Sequence, residues 1–173
     1  TLLRDIQGRT GGFTEFVPLG FIHADSPLYT QNPDKVRTGP TRDEHFKMHA
    51  IARIALQGYI DNIQASWVKM GPDMASQVLR AGANDLGGTL MNESISRAAG
   101  ARHGQEIVPR DMVNFIQHAG LQAAQRNTLY QQLAHYGRTS KPEPQLSLID
   151  YQRSVQVSAA YSSPQSIPVK VSA

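Results

Sequence analysis

The chain has 173 residues and a mass of 19.0 kDa, which fits one domain with a core of its own. Hydrophobic residues make up 40% of it, and the net charge of +3 is spread along the chain, which argues against disorder and against the basic patch of a nucleic-acid-binding protein. No apolar run reaches the roughly 18 residues of a membrane helix, and the lack of cysteine excludes disulfides, cysteine nucleophiles and cysteine ligands for zinc or iron–sulfur clusters.

The first part of the chain predicts a strand and a long loop. Residue 1 is threonine and no signal peptide follows, so we expect a processed start or a piece of a longer protein, in the cytoplasm, without membrane or nucleic-acid partners. The run GGFTEFVPL over residues 11–19 has the β-branched and aromatic residues of a strand, which Pro18 ends. Residues 20–39 show no periodicity and are predicted as a loop.

The next segment predicts a helix from Thr41 to Gly58. Thr41 and Glu44 form a capping box. Apolar residues follow at the spacing of a helix with one buried face: Met48, Ile51, Ala52, Ala55 and Leu56. His45 and His49 have the spacing of metal ligands, but a third ligand and the glutamate of the HExxH motif are lacking. We therefore interpret both as part of a solvated helix face.

A second strand is predicted over residues 60–68, and its two faces differ. One face is apolar and the other polar, because Ile63, Ala65 and Trp67 alternate with Asn62, Gln64 and Ser66. We expect the apolar face to pack against helices. The polar face is expected to contact a ligand, or else to form an internal hydrogen-bond network or face water as an edge strand.

After this strand the chain alternates between helices that end at glycine and one more short strand. Predicted helices cover residues 72–82, 91–99, 109–120 and 121–136, and a third strand covers residues 83–86. This alternation predicts the α/β class with a parallel sheet. Three or four strands are too few for a complete barrel, so residues 1–139 are predicted to form part of a TIM-like (β/α) barrel, about its second half. Residues 140–173, rich in serine and proline, are predicted to form a weakly ordered tail.

A glycine turn follows the predicted third strand and offers a second group of polar residues. These residues are Asn84, Asp85, Gly87, Gly88, Thr89, Glu93 and Arg97. Turns of this kind present backbone N–H groups that can hold an anion. The alternative for the residues beyond the turn is a solvated helix face.

Four runs of residues resemble the FO synthase family, specifically its tyrosine-using component. They are GGFTEFVPLGFIH (11–23), NIQASWVKMG (62–71), GANDLGGTLMNESISRAAGARHG (82–104) and QRNTLY (125–130). The resemblance implies a radical S-adenosylmethionine (SAM) transferase with a TIM-like barrel, which joins the hydroxybenzyl part of L-tyrosine to 5-amino-6-(D-ribitylamino)uracil. A companion ring-closing radical SAM domain or subunit then completes FO, the deazaflavin precursor of coenzyme F420.

The chain departs from that family in one important respect. The family holds a 4Fe-4S cluster through a CxxxCxxC loop near the front of the barrel, and this chain has no cysteine. The resemblance therefore implies a C-terminal portion of a radical SAM barrel, with SAM and the 4Fe-4S cluster in the full-length parent and no activity in this portion alone.

The resemblance and the residue patterns together give one set of candidates for contacts with substrate or SAM. No residue is assigned as catalytic and none as a metal ligand. The candidates are Glu15, Asn62, Gln64, Ser66, Asn84, Asp85, Gly87, Gly88, Thr89, Glu93, Arg97 and His103.

Three alternatives stay open at this point. The first is a sister radical SAM enzyme of the futalosine route to menaquinone, which shares the GGFT and NIQ-SW strands but departs in the glycine-rich block. The second is a conventional barrel lyase or isomerase with Asp85 or Glu15 as its base, which would need no cluster. The third is a non-catalytic barrel remnant.

Overall fold

Helices and short extended segments alternate in the computed structural model, which describes residues 2–90, 92–103 and 106–137. The helices are α1 (Leu2–Thr10), α2 (Pro27–Thr30), α3 (Arg42–Leu56), α4 (Trp67–Met70), α5 (Pro72–Val78), α6 (Ile95–Ala98) and α7 (Pro109–His118). A 3-10 turn (Leu79–Ala81) continues α5, and two strands, β1 (Ala123–Arg126) and β2 (Gln132–Tyr136), pair antiparallel. Within the described ranges, no helix is long and apolar enough to cross a membrane. The predicted tail, residues 140–173, lies outside them.

Three short segments run parallel to one another and carry the site. The first covers residues 13–17, the second residues 62–65 and the third residues 83–86. Phe16 pairs with Ile63, and Gln64 pairs with Asp85, so the second segment lies between the other two. The N–H of Phe16 donates to the carbonyl of Asn62 at 2.8 Å. The α/β class is thereby confirmed, but the predicted strands are reduced to isolated bridges, and the described residues do not form a closed barrel.

The hydrophobic core lies between the second segment and the helices. Ile63 and Ala65 have no exposed surface, and Trp67 is buried with them, which confirms the predicted apolar face. The helix residues in the same core are Ala52 and Leu56 of α3 and Met74, Ala75 and Val78 of α5. Burying side chains of this size stabilises the fold by about 1.5–3 kcal/mol each for the larger ones. The core therefore fixes which face of the second segment stays free.

The second segment is shorter than the strand predicted over residues 60–68. The carbonyl of Ser66 accepts from the N–H groups of Lys69 at 3.0 Å and Met70 at 3.1 Å, which turns the chain into α4. The indole N–H of Trp67 donates to the carbonyl of Gly88 at 3.1 Å. The strand prediction is wrong from Trp67 onward, because the indole is anchored to the glycine turn rather than to a neighbouring strand.

Helix α3 begins where the sequence predicts, with both hydrogen bonds of the Thr41–Glu44 capping box. Its buried face includes His49, Ala52 and Leu56, whereas Met48 and Ile51 are largely exposed. The interpretation of His49 as solvated is therefore wrong: the helix is rotated by about one residue from the predicted stripe, which carries this imidazole into the interior.

Two of the other helix predictions are confirmed, and a third is confirmed only in part. The helices predicted over 72–82 and 109–120 are confirmed as α5 with its 3-10 turn and as α7. The helix predicted over 91–99 contains only α6, because the Glu93 carboxylate accepts from the N–H of Ser96 at 2.9 Å and the first turn begins there. Helix α1, which the sequence did not predict, has no buried residue.

The helix predicted over residues 121–136 is wrong, because this segment forms the hairpin of β1 and β2. The Asn127 side chain oxygen accepts from the N–H groups of Leu129 at 2.9 Å and Gln131 at 3.0 Å. An asparagine that folds back on its own backbone in this way favours a turn over a helix. This hairpin supplies two residues of the candidate functional site.

The capping box makes a specific pH dependence testable. The N–H of Thr41 and the Arg37 side chain both bind the Glu44 carboxylate and lower the pKa of Glu44 from 4.5 to about 2. A depressed pKa contributes stability that is complete above the unfolded-state value and is lost as the pH falls toward the folded-state value. We expect Glu44→Gln to be less stable than the wild type at pH 6 and above, and this difference to shrink as the pH falls from about 4.5 to about 2.

Urea unfolding followed by circular dichroism across this pH range measures the effect. Glu106→Gln is the matched control, because Glu106 is an exposed carboxylate outside the described helices. A wild-type minus Glu44→Gln difference that stays constant between pH about 6 and about 2.5 would contradict the assigned pairing.

Candidate functional site

Polar side chains of the three parallel segments lie on the face opposite the core. Side chains alternate along extended backbone, and Phe16 and Ile63 pack in or against the core. Their neighbours Glu15 and Gln64 therefore point away from it, and the Gln64–Asp85 bridge adds Asp85 to the same face. All three polar side chains belong to partly buried residues. The fold thus brings together three predicted site residues from three separate segments.

Arg126, the last residue of β1, reaches this face and pairs with Asp85. Its Nε donates to Asp85 Oδ2 and its Nη2 donates to Asp85 Oδ1 at 2.9 Å, which makes a bidentate ion pair. The register of the hairpin shifts between Gln125 and Arg126, and such bulges re-aim the adjacent side chain. The hydrogen bonds to Asp85 raise the pKa of Arg126, which keeps the guanidinium charged.

Tyr130, in the turn of the hairpin, links Arg126 to Glu15. Its hydroxyl donates to Glu15 Oε2, and the Arg126 guanidinium lies 4.0 Å from the centre of its ring. Burial, together with the hydrogen bond to Glu15, raises the pKa of Tyr130, so the phenol stays protonated and remains a donor. We call Glu15, Gln64, Asp85, Arg126 and Tyr130 the polar cluster.

The backbone of Tyr130 has a conformation that bulky residues rarely adopt. Its φ of 62° lies in the left-handed region, and it is the one non-glycine residue with positive φ among those described. Its N–H donates to the carbonyl of Asn127 at 3.1 Å, and the Asn127 side chain holds the rest of the turn. The hairpin turn therefore keeps the Tyr130 ring over the site in spite of an unfavourable backbone conformation.

The glycine turn packs directly on the polar cluster. Gly87 has φ of 73°, a backbone conformation that favours glycine, and a Cβ at this position would displace the end of the Gln64 side chain. The N–H of Gly87 donates to Asp85 Oδ1. This amide is consequently used by Asp85 rather than left free for an anion, and both carboxylate oxygens of Asp85 have partners.

The predicted asparagines join neighbouring segments instead of facing an open site. Asn62 Nδ2 donates to the carbonyl of Thr14 at 2.8 Å. Asn84 Oδ1 accepts from the N–H of Ile63 at 2.8 Å and from Arg53 Nη2 at 2.8 Å. These contacts hold the three segments in register, so a positioning role is the one that the geometry supports for both.

The remaining predicted site residues lie around the glycine turn and α6. Ser66 precedes α4, the carbonyl of Gly88 accepts from Trp67, and Thr89 is partly buried two residues beyond Gly87. Glu93 caps the first turn of α6, which also contains Arg97. The imidazole of His103 lies against Gly71, where a Cβ would come within 2.8 Å of it. Gly88 and Glu93 thus form hydrogen bonds with Trp67 and Ser96 rather than with the polar cluster.

The residues of the polar cluster line neither a metal site found among the described residues nor the cavity around residues 35–40. In the part of the chain that the structure describes, no group of three or more histidine or acidic residues is placed to hold a metal. A cavity of about 570 Å³ is lined by residues 19–21, 28 and 35–40, none of which is a predicted site residue. We assign the candidate site to the polar cluster, because its side chains offer specific hydrogen-bonding chemistry, whereas the surface that lines that cavity is mainly apolar.

Arg126 and Tyr130 belong to the polar cluster but are not among the site residues predicted from the sequence. Both lie in the QRNTLY run that carries part of the family resemblance, yet the segment was predicted as a helix, which hides that they face the three parallel segments. The signal for this turn in the sequence is Asn127, because asparagine side chains favour turns over helix interiors. A hairpin there folds Arg126 and Tyr130 back over the site.

The comparisons with known proteins agree on one assignment. The family model described as "CofH/MqnC C-terminal region" matches residues 10–138. The 5-amino-6-(D-ribitylamino)uracil–L-tyrosine 4-hydroxyphenyl transferase of Methanopyrus kandleri is 49% identical over 134 residues, which is 78% of this chain and 36% of that protein. The FO synthase of Mycobacterium tuberculosis H37Rv is 51% identical over 133 residues, 77% of this chain and 15% of that protein.

A third relative gives the same result. The transferase of the same name from Methanocaldococcus jannaschii is 48% identical over 129 residues, 75% of this chain and 35% of that protein. The chain therefore spans about a third of the length of the transferases it matches. The resemblance that the four sequence runs suggested is confirmed: the chain belongs to the family of CofH/MqnC C-terminal regions.

Proposed function

We propose that this chain is the C-terminal part of a radical SAM transferase that joins the hydroxybenzyl group of L-tyrosine to 5-amino-6-(D-ribitylamino)uracil in FO biosynthesis. The observation that carries the proposal is the agreement of the family match with a polar cluster on the non-core face of the three parallel segments. Glu15, Gln64, Asp85, Arg126 and Tyr130 then line the substrate side of the site.

The fold supports this proposal through the direction of the polar face. In a (β/α) barrel, helices cover the outside of the parallel strands, and the opposite face points into the barrel, where active sites are built at the carboxyl ends of the strands. Here the helices pack against Ile63 and Ala65, and Gln64 points away from them. A TIM-like barrel completed by further strands places the polar cluster in its interior.

The iron–sulfur cluster does not fit the residues of this chain. Such clusters are held chiefly by cysteine thiolates, and the chain has none. The family implies SAM and a 4Fe-4S cluster in the whole enzyme, so other parts of that enzyme supply the cluster ligands. We propose that the residues predicted from the sequence supply the contacts that this chain makes with SAM and substrate. The polar cluster lies on the substrate side of that site.

The relatives differ in length, and this difference is relevant to the companion ring-closing reaction. The mycobacterial FO synthase contains the matching region as 15% of its length, whereas in the Methanopyrus transferase it is 36%. We propose that a ring-closing radical SAM domain or subunit acts on the product of this enzyme and that both work in the cytoplasm. The sister enzyme of the futalosine route is the alternative, because the family description joins CofH with MqnC.

A chimera tests the proposed activity. The segment of the Methanopyrus transferase that aligns with this chain is replaced by the matching residues of the chain, and the reconstituted enzyme is assayed for the coupled product and for 5′-deoxyadenosine separately. We expect coupled product from L-tyrosine and 5-amino-6-(D-ribitylamino)uracil. We expect Gln64→Ala and Asp85→Ala each to lower kcat/KM by about ten- to a hundredfold, because each removes a hydrogen-bonding side chain from a partly buried site.

Two controls make the result specific. Glu106→Gln changes an exposed carboxylate outside the cluster and is expected to keep the parent rate. A chimera that turns over a futalosine-route substrate in place of the two named substrates supports the alternative enzyme. Wild-type rates in folded Gln64→Ala and Asp85→Ala variants would contradict the placement of these side chains at the site.

The cysteine-free composition gives a further prediction. We expect the 173-residue chain to bind no stoichiometric iron–sulfur cluster after anaerobic reconstitution with iron and sulfide, because thiolate ligands are lacking. Visible absorbance and iron analysis after desalting measure this. The Methanopyrus transferase, treated in parallel, is the positive control, and a cluster on the isolated chain would overturn the ligation argument.

A further inference from the structure

The polar cluster contains hydrogen-bond acceptors that no described residue uses. Tyr130 donates to one oxygen of the Glu15 carboxylate, Oε2, and the other oxygen, Oε1, has no partner among the described residues. The side-chain amide of Gln64 also lacks a partner there, although it packs against Gly87. Asp85 differs, because Arg126 and Gly87 together occupy both of its oxygens. The free acceptors therefore belong to Glu15 and Gln64.

The charge balance of the cluster favours a ligand group that donates hydrogen bonds to the unused acceptors of Glu15 and Gln64. The charged groups that act on Tyr130 are Arg126, Glu15 and Asp85. With the phenol protonated, two carboxylates face one guanidinium, and the formal sum is negative. Arg126 is already bound to both oxygens of Asp85 through its Nε and Nη2, so the carboxylate left with unused capacity is that of Glu15.

We propose that Glu15, assisted by Gln64, binds an N–H-bearing group of the substrate: the ammonium of an amino acid or the amino group of an aminopyrimidine. This assignment rests on the proposed function for the identity of the two substrates. Asp85 then does not contact that group but positions Arg126, and Arg126 in turn holds the Tyr130 ring through the stacked contact of 4.0 Å. Tyr130 orients Glu15, so that Oε1 is the oxygen presented to the ligand.

The position of these residues explains why one carboxylate is used for binding and the other for support. Glu15 and Gln64 come from adjacent parallel segments, and both lie on the non-core face. Asp85 lies under Arg126, and its side chain is only 10% exposed. A buried carboxylate that is fully paired is a poor partner for a further ligand, whereas a half-free carboxylate binds a donor at little additional cost.

Ligand titrations of the 173-residue chain, followed by amide NMR spectra, test the proposal. The amine-bearing probes are L-tyrosine and 5-amino-6-(D-ribitylamino)uracil. Each has a matched partner that lacks one amino group. 3-(4-Hydroxyphenyl)propanoate lacks the α-amino group of L-tyrosine, and 6-(D-ribitylamino)uracil lacks the 5-amino group of the pyrimidine. We expect one amine-bearing probe to bind at least about tenfold more tightly than its partner, and the pair that shows this difference identifies the source of the amine.

Variants separate Glu15 from the rest of the cluster. We expect Glu15→Gln to lower the affinity for that probe about tenfold and to abolish the preference for the amine, whereas Glu106→Gln keeps both. The same spectra show whether each variant is folded. Equal binding with and without the amine, an unchanged affinity in Glu15→Gln, or no binding of either amine-bearing probe would overturn the proposal.

The outcome is distinguishable from a failure of the proposed function. A chimera that forms the coupled product while the chain shows no preference for the amine refutes the role of Glu15 and leaves the proposed function standing. An inactive chimera combined with a Glu15-dependent preference for an amine refutes the proposed reaction and retains the binding site.

Discussion

The alternation of side chains along residues 62–65 is the constraint on which the rest of the structure depends. Ile63 and Ala65 are fully buried among the helices, so Gln64 has to point to the opposite face. The parallel bridges on both sides transmit this choice to the neighbouring segments, because they place Glu15 and Asp85 on the same face as Gln64. A shift of the register by one residue would bury these polar groups and expose the core.

The Arg126–Asp85 pair illustrates how a partly buried charge is accommodated at this face. The Asp85 side chain is 10% exposed and that of Arg126 is 25% exposed, so both lose part of their hydration. Bidentate geometry and the N–H of Gly87 compensate for that loss at Asp85. Breaking such a pair leaves an unpaired charge, which is why Arg126 fixes the hairpin over the site more firmly than an exposed ion pair would.

The sequence predicted the parts of the structure that depend on local pattern. The capping box at Thr41, the buried face of the second segment and the α/β class follow from residue spacing alone. The rotation of α3 does not, because its alanines and isoleucines fit two adjacent stripes, and the burial of His49 depends on tertiary packing. The hairpin was missed for a similar reason, since leucine, glutamine and alanine over residues 121–136 favour a helix, and strand pairing around the turn at Asn127 overrides that local preference.

The hairpin also determines which polar atoms of the cluster are already paired. Without Arg126 and Tyr130, the face presents two carboxylates and an amide, and it would attract cations with little selectivity. Arg126 occupies the Asp85 carboxylate, and the protonated Tyr130 occupies one oxygen of the Glu15 carboxylate. The hydrogen bonds of the hairpin thus distinguish Glu15 and Gln64, which keep acceptor atoms without a partner among the described residues, from Asp85, which does not. The segment that the sequence described least well is therefore the one that supplies two of the five residues of the polar cluster.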